Sequence, residues 1–417
     1  MSAHRNDLYQ QLPGYLQHHE AFYLDLLRQM VSINSFTANA AGVNAVGDLT
    51  AAAFADLGFT AEKVQSANPA YGRHLVLTRP ATSLSGEAPK IGLVSHLDTV
   101  FPPEEEAQNG FAWRQEGDRC YGPGTVDNKG GTVVLYMTLA ALQALAPEAC
   151  DAVTWVVLID ASEERDAFDF QNLCLERLAG NTLACLIYEG GHVEDGAFTA
   201  VVARKGMAIY HVTVEGKSAH AGSAHEEGAN AIVQLADTVQ RIAALTDYSR
   251  GLTFNVGRVT GGTVTNRVPH LAETWVEMRA FSPEVFSQGV AAMLALAGQP
   301  MVRSADGSFA CRVGIEVIEQ TPPWPRNPAT DRLLAVWQEA GAALGQQVIP
   351  EERGGLSDGN PLWPVFPILD GLGPVGANAH RSEQSADGSK EQEYVLASSL
   401  MPKAVLDAAA ILRLLGL

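Results

Sequence analysis

Acidic side chains and a histidine follow apolar runs that are typical of buried strands, and together they could bind a metal ion. His96 and Asp98 follow the run Lys90–Val94. Because residues i and i+2 of a strand face the same side, this imidazole and carboxylate lie side by side where the strand ends. An imidazole is a common zinc ligand, and a neighbouring carboxylate can fix its tautomer. Taken alone, the pair is better explained as a polar strand end with local hydrogen bonds.

Two later apolar runs of strand type also end in acidic residues. Ala152–Ile159 leads to Glu163 and Glu164, and Leu183–Tyr188 leads to Glu189. In open α/β sheets, ligands bind beyond the carboxyl ends of the strands, so these carboxylates are expected to lie close together. Neighbouring residues at a strand end point in different directions. One glutamate could therefore bind a metal while the other contacts a water molecule, although each acidic turn alone could simply be solvated.

A glycine-rich segment, Tyr121–Gly131, precedes a predicted helix over Thr132–Leu145. A phosphate-binding loop would need the pattern G-x-x-x-x-G-K-[ST], but Lys129 has Asn before it and Gly after it, which excludes that motif. Asp127 lies at the predicted start of the helix, where a carboxylate often caps the free amides. Helix capping is therefore the alternative to a metal-binding role for Asp127.

Length and composition narrow the class of protein. The chain has 417 residues, which is enough for two domains, and a formal net charge of −19, which disfavours binding to nucleic acid. No apolar run approaches the ~20 residues that span a bilayer, so no membrane partner is expected. The N-terminal residues are polar and the five cysteines are scattered, which favours a cytoplasmic location over a disulfide-linked secreted protein.

The order of predicted elements indicates an α/β catalytic domain with mixed sheets that is interrupted by a second domain. Residues 207–319 carry the order β-α-β-β-α-β, which is typical of a ferredoxin-like α+β module with an antiparallel sheet. The predicted domains are therefore 1–206 and 320–417 for the catalytic domain and 207–319 for the insertion. A helix is predicted over residues 8–32, before the first strand.

These motifs resemble the co-catalytic zinc metallopeptidase family. This family includes glutamate carboxypeptidase, aminoacylase, acetylornithine deacetylase and succinyl-diaminopimelate desuccinylase. The resemblance covers nearly the whole chain and rests on ordered motifs: Ser-His96-Leu-Asp98-Thr, Gly-Thr-Val-Asp127-Asn-Lys-Gly, Ser-Glu163-Glu164, Tyr-Glu189-Gly, Lys-Ser-Ala-His220-Ala-Gly, Gly-Gly-Thr-Val-Thr-Asn266-Arg-Val-Pro and a late His380.

The resemblance implies two zinc ions per subunit, with Co²⁺ or Mn²⁺ as alternatives, bridged by Asp127. His96 and Glu189 would complete one site, and Glu164 and His380 the other. Imidazole and carboxylate groups suit zinc. Glu163 would be the general base, and Asp98 would hold the ring of His96. The resemblance also implies a cis peptide bond after Asp127.

The resemblance further implies that the insertion is a lid and dimerisation domain. His220 would reach the active site of the partner subunit in a homodimer and stabilise the tetrahedral oxyanion. Asn266 and Arg279 would bind a free carboxylate of the substrate, because a guanidinium can bind both oxygens. The loop Arg353-Gly354-Gly355 is a further candidate for substrate binding. A locally bonded His220 and a surface Arg279 are the alternatives.

The chain departs from the family pattern around two of the predicted site residues. Arg165–Phe170 replaces the frequent Gly and Ser after Glu164, and Tyr188-Glu189-Gly190-Gly191 replaces the frequent Glu-Pro. Neither departure removes a predicted ligand or the base.

Three functions are compatible with this pattern. The first is a zinc exopeptidase like glutamate carboxypeptidase, acting on a small or dipeptide-like substrate with a free carboxylate. The second is an N-acyl-amino-acid deacylase of the acetylornithine deacetylase or desuccinylase type. The third, a non-catalytic metal-binding dimer, is disfavoured because the base and all the predicted ligands are present.

Overall fold

The computed structural model describes residues 2–82, 88–165 and 168–416, with side chains from residue 7 onward. The chain divides into two compact units. The first contains residues 1–202, 326–351 and 357–417, and the second contains residues 203–325 and 352–356. The predicted insertion, residues 207–319, lies inside the second unit. The segment 352–356 also belongs to that unit, although it is distant in sequence.

The part of the chain before the insertion alternates helices and strands. Its elements are α1 (Ser2–His18), α2 (Glu20–Val31), α3 (Ala40–Ala55), β1 (Thr60–Gln65), β2 (Arg73–Arg79), β3 (Lys90–His96), α4 (Pro103–Asn109), β4 (Arg114–Glu116), β5 (Arg119–Tyr121), α5 (Lys129–Leu145), α6 (Pro147–Asp151), β6 (Thr154–Asp160), α7 (Phe168–Arg177), β7 (Thr182–Ile187), β8 (Val193–Glu194) and β9 (Ala197–Arg204). The single helix predicted over residues 8–32 is two helices, because His19 (φ −108°, ψ 9°) leaves the helical conformation between them.

The second unit has the predicted order of elements. It consists of β10 (Gly206–Glu215), α8 (Ala231–Ala243), β11 (Thr253–Gly261), β12 (Leu271–Ala280), α9 (Pro283–Leu294) and β13 (Arg312–Thr321), with 3₁₀ turns at His225–Glu227 and Tyr248–Arg250. The sheet order is β11-β12-β10-β13 and every pairing is antiparallel. This is the ferredoxin-like topology, as the element order predicted.

The chain then returns to the first unit. The remaining elements are α10 (Pro328–Ala343), β14 (Val348–Arg353), α11 (Gly359–Leu362), β15 (Ile368–Leu369), β16 (Gly376–Ala377), β17 (Tyr394–Leu396) and α12 (Ala397–Leu414). Two small sheets have the orders β14-β9-β8 and β16-β17-β5-β4. The α/β fold with mixed sheets is therefore confirmed.

A six-stranded sheet organises the first unit, in the order β1-β2-β6-β3-β7-β15. The four strands β6, β3, β7 and β15 are parallel, and β1 and β2 continue the sheet in antiparallel pairing. Parallel strands end at the same edge of a sheet, so the segments that follow β3, β6 and β7 leave from one edge. Nearly all residues of these three strands are buried, which explains their continuous apolar character.

Helix α5 lies in the core, because all its residues from Lys129 to Leu142 are buried. Helix α12 packs against α5, α10 and α1. All five cysteines are buried and free. Among the described residues, no helix is both long enough and apolar enough to cross a membrane.

A buried carboxylate joins α10 to α12. The indole Nε1 of Trp337 donates a hydrogen bond of 2.8 Å to Asp407 Oδ1, and both side chains are completely buried. Burial raises the pKa of Asp407 to about 7, although Lys403 and the Trp337 hydrogen bond act in the opposite direction. Asp407 therefore ionises in the folded protein only near neutral pH, well above its value in an unfolded chain.

We predict that Trp337→Phe destabilises the protein more at about pH 8.5 than at about pH 5.5, because the ionised carboxylate depends more on its donor than the neutral acid does. The expected loss in the free energy of unfolding at the higher pH is about 1–3 kcal/mol. Urea unfolding of wild type and variant at both pH values measures it.

Trp155→Phe is the matched control. Its buried indole Nε1 donates to the carbonyl oxygen of Cys150 at 3.0 Å, and a carbonyl does not titrate. The cost of Trp155→Phe is expected to be independent of pH over this range. An equal pH dependence in both variants would contradict the role assigned to Asp407.

Candidate metal centre

The predicted metal ligands come together at the edge where the parallel strands of the first unit end. His96 is the last residue of β3, Glu164 follows β6, and Glu189 follows β7. Asp127 precedes α5, and His380 follows β16. Two groups of three, His96/Asp127/Glu189 and Asp127/Glu164/His380, each offer ligand atoms that all lie within 4.8 Å of one another. Asp127 is common to both groups.

The distances within each group are those of ligands that share one ion. His96 Nε2 lies 2.9 Å from Asp127 Oδ1 and 3.6 Å from Glu189 Oε1. His380 Nε2 lies 3.2 Å from Asp127 Oδ2 and 3.2 Å from Glu164 Oε2. Two ligands of a tetrahedral zinc ion, each roughly 2.0–2.2 Å from it, are roughly 3.3–3.6 Å apart. The two oxygens of Asp127 thus face different histidines, as a bridging carboxylate requires.

The backbone around Asp127 is shaped for this position. The peptide bond between Asp127 and Asn128 is cis, which confirms the prediction from the resemblance. Helix α5 begins at Lys129, with Asn128 as its N-cap residue and without a side-chain capping bond, so Asp127 does not cap the helix. A Cβ atom on Gly131 would lie 2.0 Å from the carbonyl oxygen of Tyr188. Only glycine permits this approach of α5 to the segment that carries Glu189.

Asp98 connects the ligands to one another. The carbonyl oxygen of Asp98 lies 3.1 Å from His96 Nδ1, closer than its carboxylate oxygen Oδ1 at 3.4 Å. The carboxylate accepts the backbone amides of Glu163 (3.1 Å) and Glu164 (3.3 Å). Its Oδ2 also accepts the hydroxyl of Thr37 at 2.6 Å. Asp98 therefore fixes the tautomer of His96 through its backbone and the Glu163–Glu164 segment through its side chain.

The pKa values of the carboxylates and imidazoles at the centre are strongly shifted. Burial raises the pKa of Asp127, but hydrogen bonds with His380 and His96 outweigh it, and the net effect holds this pKa well below its usual range. Hydrogen bonds with Asp127 and Glu164 raise the pKa of His380 to about 10. Burial and the charge of Asp127 raise the pKa of Glu164. A divalent cation would replace the protons on the two imidazoles and balance the carboxylates that surround them.

Glu163 has a different environment from its neighbour Glu164. Burial raises the pKa of Glu163 well above its usual range, and the charges of Glu189 and Glu164 add to this effect, although His96 opposes it. It belongs to neither group of potential ligands. A carboxylate with a raised pKa beside a metal centre is suited to accept and return a proton.

Three further residues support the centre and were not found from the sequence. Asn128 Nδ2 donates to Glu189 Oε1 at 3.0 Å. The buried Glu393 accepts the amides of Val126 (2.9 Å) and Asp127 (3.2 Å), and burial raises its pKa to about 8. Thr37 is the donor to Asp98. No local pattern marks Thr37 or Glu393, whereas Asn128 could have been suspected from its place beside Asp127.

In the second unit, His220 and Asn266 lie on adjacent segments. The amide of Ala221 donates to the carbonyl oxygen of Asn266 at 3.0 Å. The backbones of His220 and Arg267 pair in an isolated antiparallel β-bridge. The amides of Gly222 and Ser223 both donate to His220 Nδ1, each at 3.1 Å. Nδ1 is therefore the unprotonated nitrogen of the neutral ring, and the exposed imidazole presents Nε2–H as a donor.

The other three predicted substrate-binding residues also belong to the second unit. Arg279 is paired with Glu277, with Nε 2.7 Å from Oε1 and Nη2 3.3 Å from Oε2, and its Nη1 donates to the carbonyl oxygen of Gly354 at 3.1 Å. The backbone oxygen of Arg353 accepts the amide of Lys205, and that of Gly355 accepts Arg204 Nη1. Glu277 and the 352–356 segment therefore fix the orientation of the Arg279 guanidinium.

We predict that Thr37→Val lowers both stability and hydrolytic activity, because a valine of similar shape leaves the buried Asp98 oxygen without its hydroxyl donor. The expected loss in the free energy of unfolding is about 1–3 kcal/mol. Thermal unfolding and steady-state kinetics measure the two effects. Thr50→Val is the control, since the buried hydroxyl of Thr50 donates only to Val46 O of its own helix, at 2.8 Å. Equal activity in the two variants would contradict the role of Thr37.

Comparison with known proteins identifies the family of the chain. Residues 202–302 match the peptidase dimerisation domain family. The chain is 30% identical over 396 residues to carboxypeptidase G2 of Pseudomonas sp. (strain RS-16), covering 94% of this chain and 88% of that protein. It is 25% identical over 379 residues to succinyl-diaminopimelate desuccinylase of Halorhodospira halophila (strain DSM 244 / SL1), covering 87% and 92%.

The crystal structure of aminopeptidase PepT from Bacillus cereus has the same fold, with a TM-score of 0.74, 23% identity and coverage of 95% of this chain and 98% of that chain. The resemblance noted from the motifs is thus confirmed over almost the full length. The chain belongs to the M20 family of metallopeptidases and is a hydrolytic enzyme.

Proposed function

We propose that the protein is a dinuclear zinc hydrolase that cleaves an amide bond next to a free carboxylate, most closely in the manner of a glutamate carboxypeptidase. The observation that carries this proposal is the pair of His/carboxylate groups that share Asp127, with Glu163 beside them. The 30% identity to a protein named carboxypeptidase G2 favours exopeptidase action over other reactions of the family.

The donor set supports a divalent metal and suits zinc. His96 and Glu189 would hold one ion, Glu164 and His380 the other, and Asp127 would bridge them. Two imidazoles with carboxylates are ligands that zinc prefers, and Co²⁺ or Mn²⁺ could occupy the same set. Among the residues that the structure describes, the buried Glu164 Oε1 has no hydrogen-bond partner, which is consistent with an acceptor for a cation. When bound, such ions supply Lewis-acid activation of a water molecule and of the scissile carbonyl.

Glu163 would act as the general base and acid. It would take a proton from the attacking water and return it to the leaving amine, a task that suits a carboxylate with a raised pKa. The backbone amides of Glu163 and Glu164, held by Asp98, would keep the base and its neighbouring ligand in fixed relation. His96 would stay in one tautomer through its contact with the Asp98 carbonyl.

His220 would complete the site from the partner subunit of a homodimer. Its Nε2–H, fixed as the donor by the amides on Nδ1, would stabilise the oxyanion of the tetrahedral intermediate. The match to the peptidase dimerisation domain family supports this arrangement. The five free, buried cysteines support a cytoplasmic location, where thiols stay reduced.

Substrate recognition would depend on Asn266, Arg279, Arg353 and Gly355. Glu277 holds the Nε and Nη2 side of the Arg279 guanidinium and the carbonyl oxygen of Gly354 holds Nη1, so the guanidinium would meet a substrate carboxylate in this fixed orientation. A peptide and an N-acyl amino acid carry the same bond and the same carboxylate. N-acyl-amino-acid deacylation is therefore the second candidate, supported by the identity to a desuccinylase. A metal-binding dimer without activity is disfavoured by the family membership.

We predict that dipeptides with C-terminal glutamate are cleaved with a higher kcat/KM than N-acetyl or N-succinyl amino acids. Amidation of the free carboxylate should lower kcat/KM by about 100-fold or more, because the donors that bind it would be left unpaired. A panel of matched acids and amides measures both effects. Preference for the acyl amino acids would establish the second candidate, and equal cleavage of acids and amides would contradict carboxylate recognition.

We predict that Glu163→Gln lowers kcat by about 10²–10⁴-fold while the protein keeps two metal ions per subunit, because glutamine cannot transfer the proton. Metal analysis and steady-state kinetics on the same preparation test this. Glu194→Gln, which changes an exposed carboxylate on β8, is the control for loss of one charge. Full activity of Glu163→Gln would exclude this residue as the base.

A further inference from the structure

The segment that carries Glu163 and Glu164 begins and ends next to an aspartate. Asp160 is the last residue of β6, and Asp169 lies in the first turn of α7. This is the region where the sequence departs from the family pattern, with Arg165–Phe170 in place of the frequent Gly and Ser. Neither aspartate belongs to a group of potential metal ligands among the described residues.

The imidazole of His74 lies between these two aspartates. Its Nδ1 is 3.0 Å from Asp160 Oδ1, and its Nε2 is 3.0 Å from Asp169 Oδ2. His74 is 1% exposed and Asp160 is fully buried, so water does not reach the contact between them. Burial lowers the pKa of His74, but the two carboxylates outweigh this effect and the net shift is upward. Nε2 faces Asp169, whereas Nδ1 faces both the carboxylate of Asp160 and the backbone amide of Ala161, which donates to it at 3.2 Å.

The pairing of the strands places His74 at the end of β6. Leu75 of β2 is opposite Ile159 of β6, which brings His74 next to Asp160. On the other side of β6, Asp160 is opposite His96 of β3, and its carbonyl oxygen accepts the amide of Leu97 at 2.7 Å. A shift at the end of β6 would therefore reach the predicted ligand His96 as well as the segment that follows.

Asp169 fastens the other end of the segment. Its Oδ2 accepts the amide of Ala67 at 2.5 Å in addition to the His74 contact, and its Oδ1 accepts the amide of Phe170 at 3.1 Å. The ring of Phe170 lies 5.3 Å from the ring of His74. A carboxylate in the first turn of a helix is further stabilised by the helix dipole. The start of α7 is thus tied to β2 through His74 and to the segment between β1 and β2 through Ala67.

We propose that His74 is a positioning residue, which holds both ends of the Glu163–Glu164 segment through Asp160 and Asp169. Asp98 fixes the two glutamate amides in the middle of the segment, and His74 fixes its ends. His74 acts through the two aspartates and through the amide of Ala161, which follows Asp160 and lies 3.2 Å from Nδ1. This inference rests on the proposed function, because it concerns the base and one ligand of that site.

Loss of a His74 contact is expected to affect both metal binding and catalysis. Partners of metal ligands that do not touch the metal typically contribute about 10–100-fold to metal affinity or activity. A misplacement of about 1 Å can cost about 100-fold in rate. Release of one end of the segment should therefore weaken metal binding and lower kcat, while KM, which depends on other residues, changes little.

The test uses Asp169→Ala, which removes the carboxylate that contacts His74 Nε2. The side chain of Asp169 is 23% exposed. Metal affinity is measured by competition with a chelator, together with kcat, KM and amide hydrogen exchange of residues 161–165. We expect about 10-fold weaker metal binding, about 10-fold lower kcat, KM within about threefold, and faster exchange in this segment. Asp169→Asn keeps an acceptor for His74 and should retain both properties within about threefold.

Leu77→Ala is the control for general loss of stability, since Leu77 is a fully buried core residue on the same strand β2. It should lower Tm yet leave the metal affinity and kcat of the folded enzyme within about twofold. The proposal is overturned if Asp169→Ala behaves like Leu77→Ala, or if it leaves both metal affinity and kcat unchanged. A native enzyme that binds no metal and cleaves no substrate would instead overturn the proposed function.

Discussion

Like charges held close together in a buried space are the constraint on which the rest of the first unit depends. Asp98, Asp127, Glu163, Glu164 and Glu189 lie around the imidazoles of His96 and His380, and burial makes the repulsion between the carboxylates costly. Three parallel strands that end at one edge of the sheet create this concentration. The protein must offset it with cations, with donated hydrogen bonds or with protons.

The residues around the centre reduce the repulsion between these buried carboxylates. Backbone amides donate many of the hydrogen bonds that stabilise these carboxylates. Asp98 accepts the amides of Glu163 and Glu164, and Glu393 accepts those of Val126 and Asp127. Fixed amides cost no side-chain entropy and cannot rotate away, so they hold each carboxylate in one orientation. The contacts of His74 with Asp160 and Asp169 likewise hold the two ends of the Glu163–Glu164 segment in fixed orientations. What remains uncompensated is the negative charge between the histidines, where divalent cations would bind.

The sequence was informative about features that depend on neighbouring residues, such as continuous apolar runs and the residues that directly follow them. Buried parallel strands appear as apolar runs, so β3, β6 and β7 and the acidic residues that follow them could be predicted with little error. The ferredoxin-like order of the second unit followed from periodicity alone. The break at His19 between α1 and α2 was missed, because both helices share one apolar pattern and only the backbone angles of one residue separate them.

Contacts between residues far apart in the chain could not be predicted. Thr37 meets Asp98 across 61 positions, Glu393 meets Val126 across 267, and His74 meets Asp169 across 95. One member of each pair, Thr37, Glu393 or His74, lies in none of the motifs, and each of these three has an ordinary alternative as a surface or core residue. The pairing of Arg279 with Glu277 is different, since an i, i+2 pair on one strand face is visible in the sequence.

We infer that two divalent ions bind between His96, His380 and their carboxylates and are needed for hydrolysis. It is tested most directly by the metal content per subunit, measured with amide hydrolysis before and after chelation. We expect close to two zinc ions per subunit, loss of hydrolysis when they are removed and recovery when zinc is restored. Hydrolysis that persists unchanged in metal-free protein would contradict it.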